Sequence, residues 1–318
     1  MNALDRLSQH APDLSFELPD GKPVVKLGLI LTLYFKNGYT RDTKERLLAC
    51  FRRFHEAYRP ALNCLIYRRH QKLTDPAFEK ACDAILKLGG HEEFSLCLSS
   101  AADDTQAADY SLTALNSAEI HGDGLRSFIK MVMPWHMLAD LDGRATFLAW
   151  AQYLCDQVKA EHGYGGLSSV LPHDYHGYLP AEYQLAQQYS GLEVDSMPHA
   201  SSIELLDAVK GVNWLTVLGQ DFLQRVGGEH AIAQALHDHE DSDVLTYCNG
   251  LIVQAGGYPE LGRDELPAAY VAVNKVVRPI RIKQPDQLHF DTTGGKSFDQ
   301  ADTTKWYARF DQDDARQD

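Results

Sequence analysis

Apolar and polar positions alternate most cleanly between residues 24 and 35. Val25, Leu27, Leu29, Leu31, Leu33 and Phe35 fall on one face, which predicts a strand. Asp42, followed three residues later by Glu45, reads as a capping box. Leu47, Leu48, Phe51, Phe54, His55 and Tyr58 then recur at helical spacing as far as Pro60. Residues 61–69 read as a second strand, and 76–88 as a second helix closed by Gly89-Gly90. Three strand-like runs follow, at 93–99, 110–117 and 127–133.

The second half is less regular. Residues 135–159 read as a helix, 163–171 as a strand and 180–189 as a helix. Residues 212–218 are strand-like, 221–226 form a helix or turn running into Gly227-Gly228, and 229–239 a short helix. Residues 244–247 and 251–254 are short strands joined near Asn249-Gly250, a turn dipeptide. Residues 267–277 are predicted helical and 280–283 extended. From Pro285 the chain turns polar. Residues 286–318 carry eight Asp against four Lys and Arg, which predicts a loosely attached tail around one helix at 303–310.

There is no repeat of fixed period, no low-complexity linker and no sustained alternation of strand and helix. The pattern therefore predicts an α+β fold of mostly antiparallel sheet with helices packed on it. It divides the chain into an N-terminal extension (1–23), an α+β domain (24–285) and an acidic tail (286–318). A boundary between two intimately packed subdomains is placed near 120–165.

Composition adds little until charge is followed along the chain. Of 318 residues, 44% are apolar and 23% charged, which is ordinary globular usage and excludes disorder and fibres. The formal net charge is −14. That argues against nucleic acid or an anionic membrane as partner, because both select basic surfaces. Residues 41–72 hold nine Lys and Arg against three acids. By contrast, residues 91–125, 160–209 and 226–262 contain no Lys or Arg and carry seven, seven and six acids. The densest cluster is Asp238, Glu240, Asp241 and Asp243, followed by Asp103, Asp104 and Asp109. Such stretches are either a solvated face or a negative surface for a basic partner.

Enzyme signatures are missing. Thr293-Gly294-Gly295-Lys296-Ser297 resembles the end of a phosphate-binding loop, but Phe290 stands where its first glycine is required, so it reads as a turn. His173 and His176 are three apart, and His237 and His239 two apart, neither at the four-residue spacing of a helical zinc pair. Gly165-Gly166-Leu167-Ser168-Ser169 lacks the second glycine of a nucleophile elbow. The six cysteines form no C-x-x-C pair and sit in apolar segments, so they are expected as reduced core residues, without metal or cofactor. Residues 1–26 are too polar for a secretory leader, and no run approaches the ~18 apolar residues of a membrane span. A cytoplasmic protein is expected.

Several segments, taken in order, carry a resemblance. They are 28–35 (GLILTLYF), 131–138 (MVMPWHML), 163–167 (GYGGL), 211–219 (GVNWLTVLG), 226–228 (VGG), 252–262 (IVQAGGYPELG) and 273–282 (VNKVVRPIRI). Together they resemble the type VI secretion immunity proteins of the TsiV-like family, over roughly residues 24–283. One departure falls after Gly262, where an acid is expected directly and Arg263 precedes Asp264. The tail beyond 285 lies outside the resemblance.

The resemblance implies a non-enzymatic inhibitor that binds a cognate antibacterial toxin and protects the producing cell and its kin. It transfers no catalytic residue, and it does not fix which surface binds. A cytoplasmic inhibitor implies a toxin with a cytoplasmic target, foremost nucleic acid, and hence a nuclease with a basic face. The expected partner is that toxin, met by a monomer or homodimer. Asp238, Glu240, Asp241 and Asp243, then Asp103, Asp104 and Asp109, are the candidate contacts, and Tyr164, Tyr175 and Tyr178 are either packed or presented as aromatic anchors. Two other classes stay open: an enzyme of unrecognised type, such as a metal-dependent hydrolase, and a structural component of a secretion or phage-like apparatus.

Overall fold

A computed structural model describes residues 3–290 and 294–312. The chain opens with α1 (Ala3–His10) and a two-residue strand, β1 (Phe16–Glu17), which pairs with the long strand β2 (Pro23–Phe35). After β2 come α2 (Arg41–Tyr58), the hairpin β3 (Cys64–Tyr67) and β4 (Arg69–Lys72), and α3 (Asp75–Leu86). Three strands follow: β5 (Phe94–Ser99), β6 (Ser111–Asn116) and β7 (Ser127–Pro134). The middle of the chain supplies α4 (Leu141–Val158), β8 (His162–Val170), α5 (Leu179–Gln188) and α6 (Pro198–Glu204). Then come β9 (Leu215–Gly219), α7 (Gln220–Arg225), α8 (Gly228–Ala235), β10 (Asp243–Tyr247), β11 (Gly250–Gln254), α9 (Ala268–Val277) and α10 (Gln300–Tyr307).

All the strands join one sheet, in the order β10-β11-β9-β8-β2-β7-β6-β5-β3-β4, with β1 paired to β2. Every strand pairing in it is antiparallel. The fold is therefore α+β, as the pattern predicts. β2 lies at the centre, between β7 and β8. Both of its faces are buried, which is why Leu29-Ile30-Leu31 and Leu33-Tyr34-Phe35 are apolar at successive positions. Leu29, Leu31, Leu33 and Phe35 meet the helix layer, in a core with Phe51 and Phe54 of α2, Phe78 of α3, and Phe147 and Leu154 of α4. Ile30 and Tyr34 point the other way and pack with Phe128, Val132, Tyr164 and Leu205.

The Gly163-Tyr164-Gly165-Gly166 run follows from close approach of β8 to its neighbours. A Cβ on Gly163 would stand 2.4 Å from the Thr32 carbonyl oxygen, and one on Gly166 would stand 2.0 Å from Asn213 Oδ1. Neither contact is possible for a carbon atom, so glycine is required there.

Some local expectations are corrected. The cap of α2 is Thr40, whose side chain accepts from the Thr43 N–H, and not Asp42. Asp42 and Glu45 instead pair along the helix with Arg46 and Arg41. The strand expected at 61–69 ends at Tyr67, because Arg68 takes φ 61° and turns the chain into β4. Five cysteines are buried and reduced, but Cys248 is exposed at the β10–β11 turn.

The C-terminal segment is not loosely attached. Phe298, Trp306, Tyr307 and Phe310 are all buried, and Phe298 packs against Tyr183 of α5. Polar composition hid this, because the aromatic anchors are widely spaced among aspartates. Thr293, in the phosphate-loop look-alike, lies outside the described residues.

Candidate interaction surface

The non-helical face of the sheet is half covered by a second layer, built from residues 190–212 and the C-terminal segment. Charge holds that layer down. Asp195 is wholly buried and accepts hydrogen bonds from Thr32 Oγ1 at 2.7 Å and Tyr164 Oη at 2.6 Å. Its carboxylate lies 3.0 Å from Lys130 Nζ. Burial pushes the Asp195 carboxyl up, but Lys130, Lys210 and the two hydroxyls more than offset it, so its pKa is lowered. Beside it, Lys210 Nζ lies 3.2 Å from Glu193, and Glu193 also faces Arg309 at 3.4 Å. Glu182 of α5 accepts from Ser196 Oγ and lies 2.9 Å from His289 Nε2, which ties the C-terminal segment to the sheet. Tyr164 is consumed in this network and is not a surface anchor.

At one end of the sheet, where β2 finishes and β7 begins, Arg126 joins two loops. Its Nη1 donates to the Asp123 carbonyl at 2.7 Å and its Nη2 to the Leu206 carbonyl at 2.8 Å. Its backbone N–H donates to the Ser202 carbonyl, and its Nε to Glu161. The side chain is 5% exposed. One guanidinium thus fixes the 3₁₀ segment Glu119–Gly124 against the end of α6. Two of the base-free stretches meet here, the first through Asp123 and the second through Glu161 and Leu206. Glu204 accepts from the Asp286 N–H, and burial pushes its carboxyl up.

The acids singled out from sequence density lie at the opposite end. Asp238, Glu240, Asp241 and Asp243 are exposed on the loop into β10, and no Lys or Arg pairs with them among the described residues. Asp103, Asp104 and Asp109 lie on the β5–β6 connection, and two of them are already neutralised. Asp103 pairs with Lys22 at 3.0 Å, and Asp109 pairs with Lys26. The Thr105 hydroxyl, with Lys22, brings the Asp103 carboxyl down to about 2.

Strand register places the two groups at one end of the sheet. Asp243 is carried across through Gln254, Leu215, Gly165, Leu31, Met131 and Leu112 to Leu98, just before the Asp103 loop. They are still not one patch. Seven strand spacings of ~4.8 Å put them about 34 Å apart, and a twist of roughly 20° per strand turns them to different directions.

Between the β5–β6 connection and the second layer lies an open groove of about 430 Å³. Its floor is the uncovered face of β5, β6 and β7, with Cys97, Ser111, Thr113 and Lys130, and its far wall includes His173, Tyr175 and His199. Tyr175 stacks on His176, with ring centroids 4.4 Å apart. Among the described residues, no three His, Cys, Asp or Glu side chains are grouped to hold a metal ion. No helix among them is long and apolar enough to cross a membrane.

Comparison with known proteins follows from this fold. The structure superposes on the Pseudomonas aeruginosa T6SS protein PA0821 with a TM-score of 0.86 and 22% sequence identity, covering 99% of this chain and 93% of that one. At that identity the likeness establishes the fold. No curated protein sequence matches the chain. A family model described as type VI immunity for VRR-NUC matches residues 46–310. That match includes most of the segment beyond 285, so it takes in the buried C-terminal layer as well as strands β3 to β11. The chain belongs to the TsiV family and is a type VI immunity protein.

Proposed function

We propose that this chain neutralises a VRR-NUC nuclease toxin by direct, non-catalytic binding in the cytoplasm, as a monomer or homodimer, without membrane or nucleic acid. The observation that carries the binding mode is its charge arrangement. A chain of net charge −14 keeps Asp238, Glu240, Asp241 and Asp243 exposed with no basic partner among the described residues. A nuclease binds polyphosphate and needs a basic face. Carboxylates in excess attract that face and speed encounter. In this reading Asp104 adds to the field, and Asp103 and Asp109 add less, because Lys22 and Lys26 already meet them.

The test is to mix purified protein and purified VRR-NUC toxin and follow DNA cleavage together with complex formation. Stoichiometric loss of cleavage, with association slowing as salt rises, is the expected result. Undiminished cleavage at micromolar excess of this protein would overturn the reading, and association indifferent to ionic strength would overturn the steering.

A further inference from the structure

Steering brings a partner close, but residence in a tight complex needs apolar anchors. Two of the three most exposed large apolar side chains among the described residues are Ile120, 85% exposed, and Ile203, 61% exposed. They are far apart in sequence, yet both stand at the Arg126 end of the sheet. Ile120 is in the Glu119–Gly124 segment, which buries none of its residues. Ile203 is on α6, next to Ser202, whose carbonyl accepts the Arg126 N–H. Neither isoleucine packs into any of the three apolar clusters of the fold.

Arg126 ties the segments that carry them to each other. Arg126 reaches both the Asp123 and Leu206 carbonyls, so each isoleucine is displayed on a backbone already fixed in place. Holding an anchor in its bound position lowers the entropy lost on association. The cations near these segments are already paired. Arg126, Lys36 and Arg225 each end on a carboxylate of Glu161 or Asp207, and Lys210, which lines a cleft with Ile203, ends on Glu193. Glu119 and Asp123 are exposed, and among the described residues no Lys or Arg forms an ion pair with them.

We propose that Ile120 and Ile203, carried on two segments that Arg126 bridges, are the anchors that hold the toxin. The partner they fit is a protein face with apolar pockets bordered by Lys and Arg, as on a nuclease around its substrate cleft. This rests on the toxin-binding reading above and adds to it the place of contact.

The experiment measures association and dissociation rates of full-length protein with purified VRR-NUC toxin for wild type, I120S, I203S, the double variant and L141S. Leu141 is 73% exposed at the start of α4, beyond the other end of β7, and serves as the control for losing an exposed apolar side chain. Both anchor positions are solvent-exposed, so thermal midpoints are expected to stay at the wild-type value. Dissociation is expected to quicken at least about tenfold for each anchor variant, with association unchanged and L141S like wild type. Backbone hydrogen exchange in the complex is expected to slow at 119–124 and 198–207. Dissociation within twofold of wild type in I120S and I203S, an equal effect from L141S, or protection confined to the β5–β6–β7 groove would each overturn the anchors while leaving the toxin-binding reading intact. Failure of the wild-type protein to bind the toxin at all would overturn that reading, and the anchors with it.

Discussion

The Nε2 of His162 lies 2.9 Å from the carbonyl of Leu205, in a pocket where the imidazole is 1% exposed and stacked on Tyr34. A carbonyl accepts only, so Nε2 carries the proton and donates. Nδ1 is buried without a partner, which suits a neutral ring and would leave a second N–H stranded in an imidazolium. The bond joins the start of β8 to the residue after α6, and so supports the Arg126 end of the sheet.

Burial, with some repulsion from Arg126, lowers the His162 pKa from 6.5 to about 4, although the Leu205 bond acts the other way. The unfolded chain therefore binds more protons than the folded one between those values. The contribution is fully present above pH 6.5 and is lost as pH falls towards 4. Its size is about 3 kcal/mol, at ~1.4 kcal/mol per pH unit. Urea unfolding at pH 7, 5.5 and 4.5 is expected to show a shallower pH slope in H162Q than in wild type. Equal slopes would contradict a buried neutral His162.

Asp195→Ala is expected to be far more damaging than a change at a surface ion pair. It leaves Lys130 without its buried counter-charge, removes one of the two acids near Lys210, and strips Thr32 and Tyr164 of an acceptor. Removing one member of a buried charged group costs about 3–5 kcal/mol. The matching surface variant is Glu45→Ala, whose pair with Arg41 is largely exposed, and it is expected to cost less than about 0.5 kcal/mol. Denaturant midpoints of the two variants check the contrast.

Phe298→Ala tests whether the C-terminal segment is part of the fold. Phe298 is wholly buried between Tyr183, His289 and Trp306. A loss of about 3–5 kcal/mol is expected for an aromatic truncated in a core. A cooperative transition with an unchanged midpoint would instead mean that residues 286–310 pack independently of the sheet.

That segment marks where local pattern stops being informative. β2 was legible because Val25, Leu27, Leu29, Leu31, Leu33 and Phe35 recur at every second position. Phe298, Trp306 and Phe310 follow no period, and their burial depends on Glu182, Glu193 and Tyr183 more than a hundred residues earlier. The interaction surface divides in the same way. Acid density along the chain selects Asp238 to Asp243, which are neighbours in sequence. The Arg126 end gathers its carboxylates from two stretches, and only the sheet brings them together. Exposure of Ile120 leaves no trace in sequence, because an isolated isoleucine between Glu119 and His121 reads equally as a buried or a displayed residue.

The densest acid cluster makes the last prediction. Replacing Asp238, Glu240, Asp241 and Asp243 by their amides removes four exposed negative charges and keeps side-chain shape. No buried partner is lost, so stability is expected to stay within about 0.5 kcal/mol. Association with the VRR-NUC toxin at low salt is expected to slow about three- to tenfold, because the attractive field at that end of the sheet is weakened. Dissociation is expected to stay unchanged, since the cluster lies a sheet's length from Ile120 and Ile203. At ~1 M salt the Debye length is ~3 Å and the two association rates are expected to converge. Stopped-flow mixing at both ionic strengths separates the possibilities. Faster dissociation in the amide variant would move the contact surface to the β10 loop, and equal association rates at low salt would remove the cluster from steering altogether.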